Sequence, residues 1–265
     1  MLQSILFYLI ILVSNIIQGI TGFAGTILAM SPSLLLVGYP VCKPILNVLG
    51  ILAGLMIMLR GRESVCKGEL FRIIPTMMIG IVIGSLCKPY LEADQKRLYL
   101  VFGIFVLFLA AKGLWNSLGI AGRFRRNDAG PENGKAVEQD SGEKRGLFGL
   151  IRGYAILLSA GLIHGLFVSG GPLLIEYVSS KKLDRQQFRT TVSAVWVVLN
   201  TIILVDDIRS GYWNLELFPI FLGCLPFFWI AIRLGEMLCK RMSQRLFLLL
   251  TYALMAFSGM MLLLK

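Results

Sequence analysis

Long apolar runs alternate with short charged segments along the chain. A helix needs about 20 apolar residues to cross the hydrocarbon core of a bilayer. We interpret the long runs as spanning helices over Leu2–Gly19, Pro44–Leu59, Phe71–Cys87, Leu98–Leu118, Leu147–Phe167, Thr191–Val205, Leu215–Ile232 and Leu246–Leu264. Two shorter apolar segments, Gly25–Val37 and Gly171–Val178, follow glycine-rich turns. The pattern predicts an all-α polytopic membrane protein with about 8–10 transmembrane helices and broken or re-entrant hairpins at those turns.

The number of crossings depends on the two shorter segments. If both cross, the four most basic loops lie on one side of the membrane, and the positive-inside rule makes that side cytoplasmic. Gly171–Val178 is too short to cross alone, which favours a hairpin that re-enters on the same side. Charge therefore favours ten crossings and length favours hairpins. We take ten as the expectation.

Composition excludes several classes of protein. Of the 265 residues, 56% are hydrophobic and 15% are charged, whereas soluble domains carry about 25% charged residues. The net charge is +11, but the cations lie in short loops between apolar runs, as membrane topology requires. The sequence has no H-E-x-x-H, G-x-S-x-G or G-x-x-x-x-G-K-[ST] motif and no C-x-x-C pair. We therefore expect no enzyme activity, cofactor, metal site or nucleic-acid partner.

The chain contains an internal duplication. We divide it into a first transmembrane repeat (residues 1–118), a polar linker expected to be cytoplasmic (residues 119–146) and a second repeat (residues 147–265). Adding 146 to a number in the first half gives its counterpart without a gap over about 40 residues. Matched pairs include Gln18 with His164, Gly25 with Gly171, Lys43 with Arg189, Asn47 with Ser193 and Gly54 with Asn200. Five spans per half would insert the second half in the inverted orientation, with the substrate site at the interface of the repeats.

The two glycine-rich turns are the candidate binding elements. Gly170-Gly171-Pro172 indicates a break followed by a helix start, and a helix N-terminus attracts anions through its free N–H groups. The alternative is that small residues only let helices pack closely. The predicted substrate-binding residues lie in or near the turns and on the helices that follow: Gln18, Gly19, Thr21, Gly22, Gly25, Asn47, His164, Gly165, Ser169, Gly170, Gly171, Arg189, Ser193 and Asn200.

Each ionisable residue within the apolar segments has two possible roles. His164 either contacts the anion and carries a coupling proton, or forms helix-to-helix hydrogen bonds. Lys43 and Arg189 either attract the anion at the pore mouths or extend to the lipid headgroups. Glu176 either pairs with a cation or moves protons. Asp206-Asp207 follow a span, so we expect no aspartate pair inside the membrane.

These motifs resemble those of a known family. The signatures Gly19-x-x-Gly22-x-x-Gly25 and Gly165-x-x-x-x-Gly170-Gly171-Pro172 are similar to those of the sulfite exporter TauE/SafE family of membrane transporters. The stretch Arg189-Thr190-Thr191 before a helix with Asn200 also matches, as do Arg97 and Arg245 before the last helix of each half. The resemblance covers nearly the whole chain except the linker. It implies a duplicated bundle that moves sulfite, sulfonates or related organic anions across the bacterial cytoplasmic membrane.

The resulting hypothesis is a secondary transporter that exports a small anion, coupled to protons, by alternating access of two pseudo-symmetric halves. The expected partners are the anionic solute and membrane lipid, and a homodimer is left open. The alternatives are a transporter of the same fold for an unrelated solute, a passive channel, and a non-transporting scaffold or assembly protein.

Overall fold

The computed structural model describes residues 2–21, 25–127, 147–179, 181, 183, 185–239 and 244–264. These residues form ten α-helices and no strand. The helices are α1 (Leu2–Thr21), α2 (Gly25–Val37), α3 (Tyr39–Gly61), α4 (Lys67–Glu92), α5 (Gln95–Asn127), α6 (Leu147–Phe167), α7 (Gly171–Ser179), α8 (Arg185–Arg209), α9 (Leu217–Cys239) and α10 (Gln244–Leu263). The all-α class predicted from the sequence is confirmed.

Six helices in the described part of the chain are long and apolar enough to cross a membrane. They are Tyr39–Leu59, Lys67–Leu91, Gln95–Leu114, Gly149–Phe167, Gln186–Arg209 and Leu217–Gly235. Each contains or overlaps one of the predicted spans. Helix α1 contributes the shorter apolar stretch Gln3–Gly19. The chain is therefore a multi-pass membrane protein.

The two short segments form hairpins with the helices that precede them. Helix α2 has 13 residues and α7 has nine, so at 1.5 Å per residue they are about 20 Å and about 13 Å long. Neither length reaches across a hydrocarbon core of about 30 Å. Gly25 lies against Gln18 of α1, and the ring of Tyr177 lies against Gly153 of α6. Each short helix thus folds back along its predecessor.

Several helices, α5 and α8 among them, extend beyond their predicted C-terminal ends. Helix α5 continues to Asn127, so the first nine residues of the predicted linker are helical; residues 128–146 lie outside the described residues. The apolar run continues through Ile120 and Ala121, which favours this extension. Helix α8 continues to Arg209 instead of ending at Val205, which places both aspartates inside the helix.

Helices of the two halves pack against each other in matched pairs. Helices α3 and α8 are antiparallel, because Lys43 contacts Asp207 at one end and Gly61 lies against Thr190 at the other. Helices α5 and α10 are also antiparallel. Helix α4 packs on α6, and α1 packs on α9. Exchanging the halves leaves the α3–α8 and α5–α10 pairings unchanged and converts the α4–α6 pairing into the α1–α9 pairing.

Candidate functional site

A small buried cavity lies where the two hairpin turns meet helices α3 and α8. The lining residues come from both halves: Gln18, Thr26, Ile27, Gly50, His164, Val168, Ser169, Gly171, Pro172, Trp196 and Asn200. The first turns of α2 and α7 both contribute to it. The centre of a water molecule can move within about 20 Å³ of the cavity, which is room for one or two waters.

In the first half, a side chain caps the start of α2. The Gly25 N–H donates to Gln18 Oε1 at 2.8 Å. A Cβ atom at position 25 would lie 2.5 Å from both Gln18 Cβ and the Ser14 carbonyl oxygen. Only glycine therefore lets α2 begin this close to α1. The bond satisfies one of the backbone donors that a helix start leaves free.

In the second half, His164 takes the corresponding place. Its Nδ1 accepts a hydrogen bond from the Gly170 N–H at 3.4 Å, and its Nε2 lies 2.7 Å from Asn200 Oδ1. Because an amide oxygen only accepts, Nε2 carries the proton in this arrangement. The ring centroids of His164 and Trp196 are 4.6 Å apart. His164 therefore connects the α7 turn to α8.

The contact continues from α8 to α3. Asn47 Nδ2 donates to the backbone carbonyl of Asn200 at 3.0 Å, whereas the buried Asn47 Oδ1 has no partner among the described residues. A Cβ at position 50 would lie 2.6 Å from Asn200 Nδ2. Glycine at this position thus lets the Asn200 side chain fit between α3 and the cavity.

Val168 holds the second turn in a strained conformation. It is the one described residue other than glycine with a positive φ, at 52°. A β-branched side chain disfavours this region, at a cost of about 1–3 kcal/mol. The repeat aligns Val168 with Gly22, which lies outside the described residues. The strain is therefore a feature of the cavity wall.

We expect Val168→Gly to lower the free energy of unfolding less than Val178→Gly, by at least about 1 kcal/mol. Both side chains are buried, but only the first substitution relieves a positive φ. Thermal unfolding of the two purified variants measures the difference. Equal losses would show that position 168 carries no strain.

Lys43 and Asp207 require two corrections to the sequence predictions. Both side chains are fully buried, and they form an ion pair between α3 and α8. Lys43 therefore does not extend to the lipid headgroups. Asp207 is not outside the membrane-spanning helix, because α8 continues past it. The sequence could not show this pairing, since the partners are 164 positions apart.

The remaining predicted residues occupy different places. Gly19 packs on Gly235 of α9, and Gly165 packs on Ile81 of α4, so both serve helix contacts beside the cavity. Ser193 is buried on α8, and Arg189 is partly buried near the start of the same helix; the Ser193 Oγ and the Arg189 Nε have no hydrogen-bond partner among the described residues. Thr21 ends α1, and Gly22 and the Thr21 side chain lie outside the described residues.

Several cavity residues were not among the predicted site residues. Thr26, Ile27 and Pro172 lie in the first turns of α2 and α7, so the turn interpretation itself pointed to them. Gly50 and Trp196 lie within long apolar helices, where no local pattern distinguishes them from packing residues. The Trp196 ring is buried against His164.

Glu176 pairs with cations. Its carboxylate contacts Lys112 of α5 and lies 3.7 Å from an Arg152 guanidinium nitrogen. The side chain is 29% exposed and is not among the residues that line the cavity. Of its two predicted roles, the structure shows the ion pair.

A family model described as sulfite exporter TauE/SafE matches residues 6–262. The chain belongs to this family. The resemblance inferred from the glycine-rich signatures is therefore confirmed, and the match covers both halves and their cavity. The family is one of membrane transporters, so this cavity is a candidate transport site. No curated protein and no solved structure matches the chain.

Proposed function

We propose that this protein is a secondary active transporter that exports a small sulfur-containing anion, sulfite or a sulfonate, across the bacterial cytoplasmic membrane. One observation carries the proposal: the N-terminal turns of α2 and α7 reach the same buried cavity. Helix N-termini present N–H groups and a partial positive charge, and this charge favours an anion. Polar side chains buried among membrane-spanning helices are costly, and they commonly mark substrate pathways.

Alternating access of two inverted halves is the mechanism that we propose. The antiparallel pairing of α3 with α8 supports it, since each helix is the repeat counterpart of the other. Inverted repeats exchange conformations as their halves rock around a fixed site. The cavity volume of about 20 Å³ is too small for a four-atom oxyanion. We infer that the halves must separate before the anion enters.

The side chains around the cavity would have different roles in transport. Gln18 and His164 each hold a turn in place through one acceptor atom, and Ser169 and Asn200 also line the cavity. His164 is the only histidine in the chain and would carry the coupling proton. We place the linker, residues 119–146, on the cytoplasmic side, because it carries six Lys and Arg residues and cytoplasmic loops are enriched in these residues.

The deciding experiment is transport in proteoliposomes. Vesicles would be loaded in turn with sulfite, thiosulfate, sulfoacetate, taurine and acetate, and both anion and proton flux would be followed under an imposed pH gradient. We expect saturable, proton-linked flux of one sulfur oxyanion or sulfonate. Flux of acetate alone would favour an unrelated solute. If folded protein shows no flux, a non-transporting scaffold or assembly protein would be favoured. Non-saturating flux would favour a passive channel.

Gly171→Leu tests the location of the site. Gly171 lines the cavity, so a leucine side chain would fill the space where the anion binds. We expect transport to fall by at least about 100-fold while the protein still folds. Gly149→Leu is the matched control, since none of the described residues lies within 4 Å of a Cβ there. Equal transport by the two variants would exclude this cavity as the site.

A further inference from the structure

A buried ion pair joins the two halves beside the cavity. Lys43 belongs to α3 of the first half and Asp207 to α8 of the second, and both side chains are 0% exposed. Bringing two charges out of water costs about as much as their attraction returns, and an apolar pair often stabilises a protein more. Inside a membrane, such charges mark ion or substrate pathways. The pair therefore calls for a functional explanation.

The Lys43 ammonium group has aromatic neighbours in addition to the Asp207 carboxylate. Lys43 Nζ lies 5.9 Å from the ring centroid of Tyr39 and 5.8 Å from that of Tyr212. Aromatic faces stabilise a cation at such distances. The carboxylate is held less completely, because the buried Asp207 Oδ2 has no hydrogen-bond partner among the described residues. Lys43 is thus the fixed member of the pair, and Asp207 is the exchangeable one.

Polar groups connect this pair with the cavity. Asn47 lies one helical turn from Lys43 and bonds to the carbonyl of Asn200, whose side chain lines the cavity. The Tyr39 hydroxyl donates to the Leu166 carbonyl, just before the strained α7 turn. This hydrogen bond therefore links the α7 turn to Tyr39, which lies one helical turn before Lys43.

On its other side, the pair is close to the surface. Asp206, whose side chain is 34% exposed, lies 3.0 Å from Lys88 Nζ. Lys88 Nζ also donates to the Ser210 hydroxyl at 2.9 Å and lies 4.7 Å from the Tyr212 ring centroid. Polar side chains thus continue from the cavity past Lys43 to the partly exposed Asp206, along the interface of the two halves.

The pair occurs at only one end of this interface. The repeat aligns Lys43 with Arg189, but it aligns Asp207 with Gly61, which has no carboxylate. At that end, the buried Arg189 Nε has no partner among the described residues. An ion pair needed only to join α3 and α8 would be expected at both ends. The one-sided pair instead suits a pathway that is closed on one side.

We propose that Lys43 is a second anion-binding group on the route out of the cavity, and that Asp207 occupies it as a competing carboxylate until the substrate anion displaces it. The inference rests on the proposed function, since it assigns one more step to the same anion. The incoming anion takes over the ammonium group, and the Lys43–Asp207 link between the halves is released. Arrival of substrate thereby opens the closed side.

A charge-selective labelling experiment tests this without knowledge of the solute. Asn47→Cys is introduced into the full chain with its five native cysteines replaced. The labelling rate is measured with a sulfonate-bearing thiol reagent and with a trimethylammonium reagent of similar size. Adding Asp207→Asn should raise the anionic-to-cationic rate ratio by at least about tenfold, because Lys43 is no longer neutralised.

Two control variants distinguish an effect of charge on the labelling rates from a general loosening of the structure around position 47. The neutral pair Lys43→Gln with Asp207→Asn should lose the preference for the anionic reagent, and Asp206→Asn should change the ratio much less. Equal acceleration of both reagents by Asp207→Asn, or no labelling in any variant, would overturn the inference. If Asp207→Asn does not fold, the neutral pair decides alone: a ratio equal to that of the parent overturns it.

The outcome is independent of the transport assay. A clear charge preference with no flux of any tested anion would reject the proposed solutes and keep Lys43 as an anion-binding group. Proton-linked sulfite flux without a charge preference would keep the proposed function and reject this role of Lys43.

Discussion

Replacing His164 with glutamine is expected to abolish the response of transport to a pH gradient while leaving the protein folded. Gln18 already performs the capping role in the first half, where its Oε1 accepts from the Gly25 N–H. A glutamine at position 164 can accept from the Gly170 N–H and donate to Asn200 Oδ1, as the imidazole does. It cannot take up a proton near neutral pH. Saturable anion flux should therefore persist without proton coupling.

His164→Ala is the contrasting variant. It leaves the Gly170 N–H and Asn200 Oδ1 buried without their partner, at about 1–3 kcal/mol for each group. We expect a lower free energy of unfolding and anion flux reduced by at least about 100-fold. Anion and proton flux in proteoliposomes, with thermal unfolding, distinguishes the variants. Persistence of full proton coupling in His164→Gln would exclude this histidine as the proton carrier.

Replacing Gly161 with valine is expected to separate α4 from α6. We expect it to lower the free energy of unfolding more than His164→Ala does. A Cβ at Gly161 would overlap the backbone of Met77. On the facing helix, a Cβ at Gly84 would lie 2.7 Å from the Leu162 carbonyl oxygen. Such glycine contacts let backbones approach closely in a membrane, where packing rather than hydrophobicity joins helices. Backbone cannot move aside cheaply, so we expect a loss of about 3 kcal/mol or more.

The same helix supplies the control for this substitution. Gly149 also lies in α6, but within the described part of the chain no atom is closer than 4 Å to a Cβ there. Gly149→Val should leave the melting temperature close to that of the parent, whereas Gly161→Val should lower it and abolish transport, because α6 carries His164. Thermal unfolding of both variants in detergent measures this. Identical melting temperatures would mean that close α4–α6 packing contributes little to stability.

The sequence was informative wherever a local pattern expresses a physical requirement. Apolar length determines which segments can cross a bilayer, so the long helices were predicted with small errors at their ends. The glycine-rich turns were recognisable because only small residues allow such breaks, and they pointed to Gln18, His164, Ser169 and Gly171 in the cavity wall. Helix ends were less predictable, since both α5 and α8 continue into polar residues.

Local patterns could not separate glycines that form turns from glycines that pack helices. Gly19 and Gly165 belong to the same signatures as Gly25 and Gly171, yet they contact α9 and α4. The difference depends on which helix lies opposite, and that is decided by residues far away in the chain. Trp196 shows the same limit, because an indole inside an apolar run suits the interface as well as the interior.

By itself, the sequence determined the membrane environment, the helical class, the two breaks and the family, because hydrophobic length and glycine content act locally. Only the tertiary structure decided that α2 and α7 fold back as hairpins, that their first turns share one cavity, and that Lys43 is buried against Asp207. These features depend on contacts between the two halves. A charged side chain can be recognised as buried only when the distant partner that neutralises it is known.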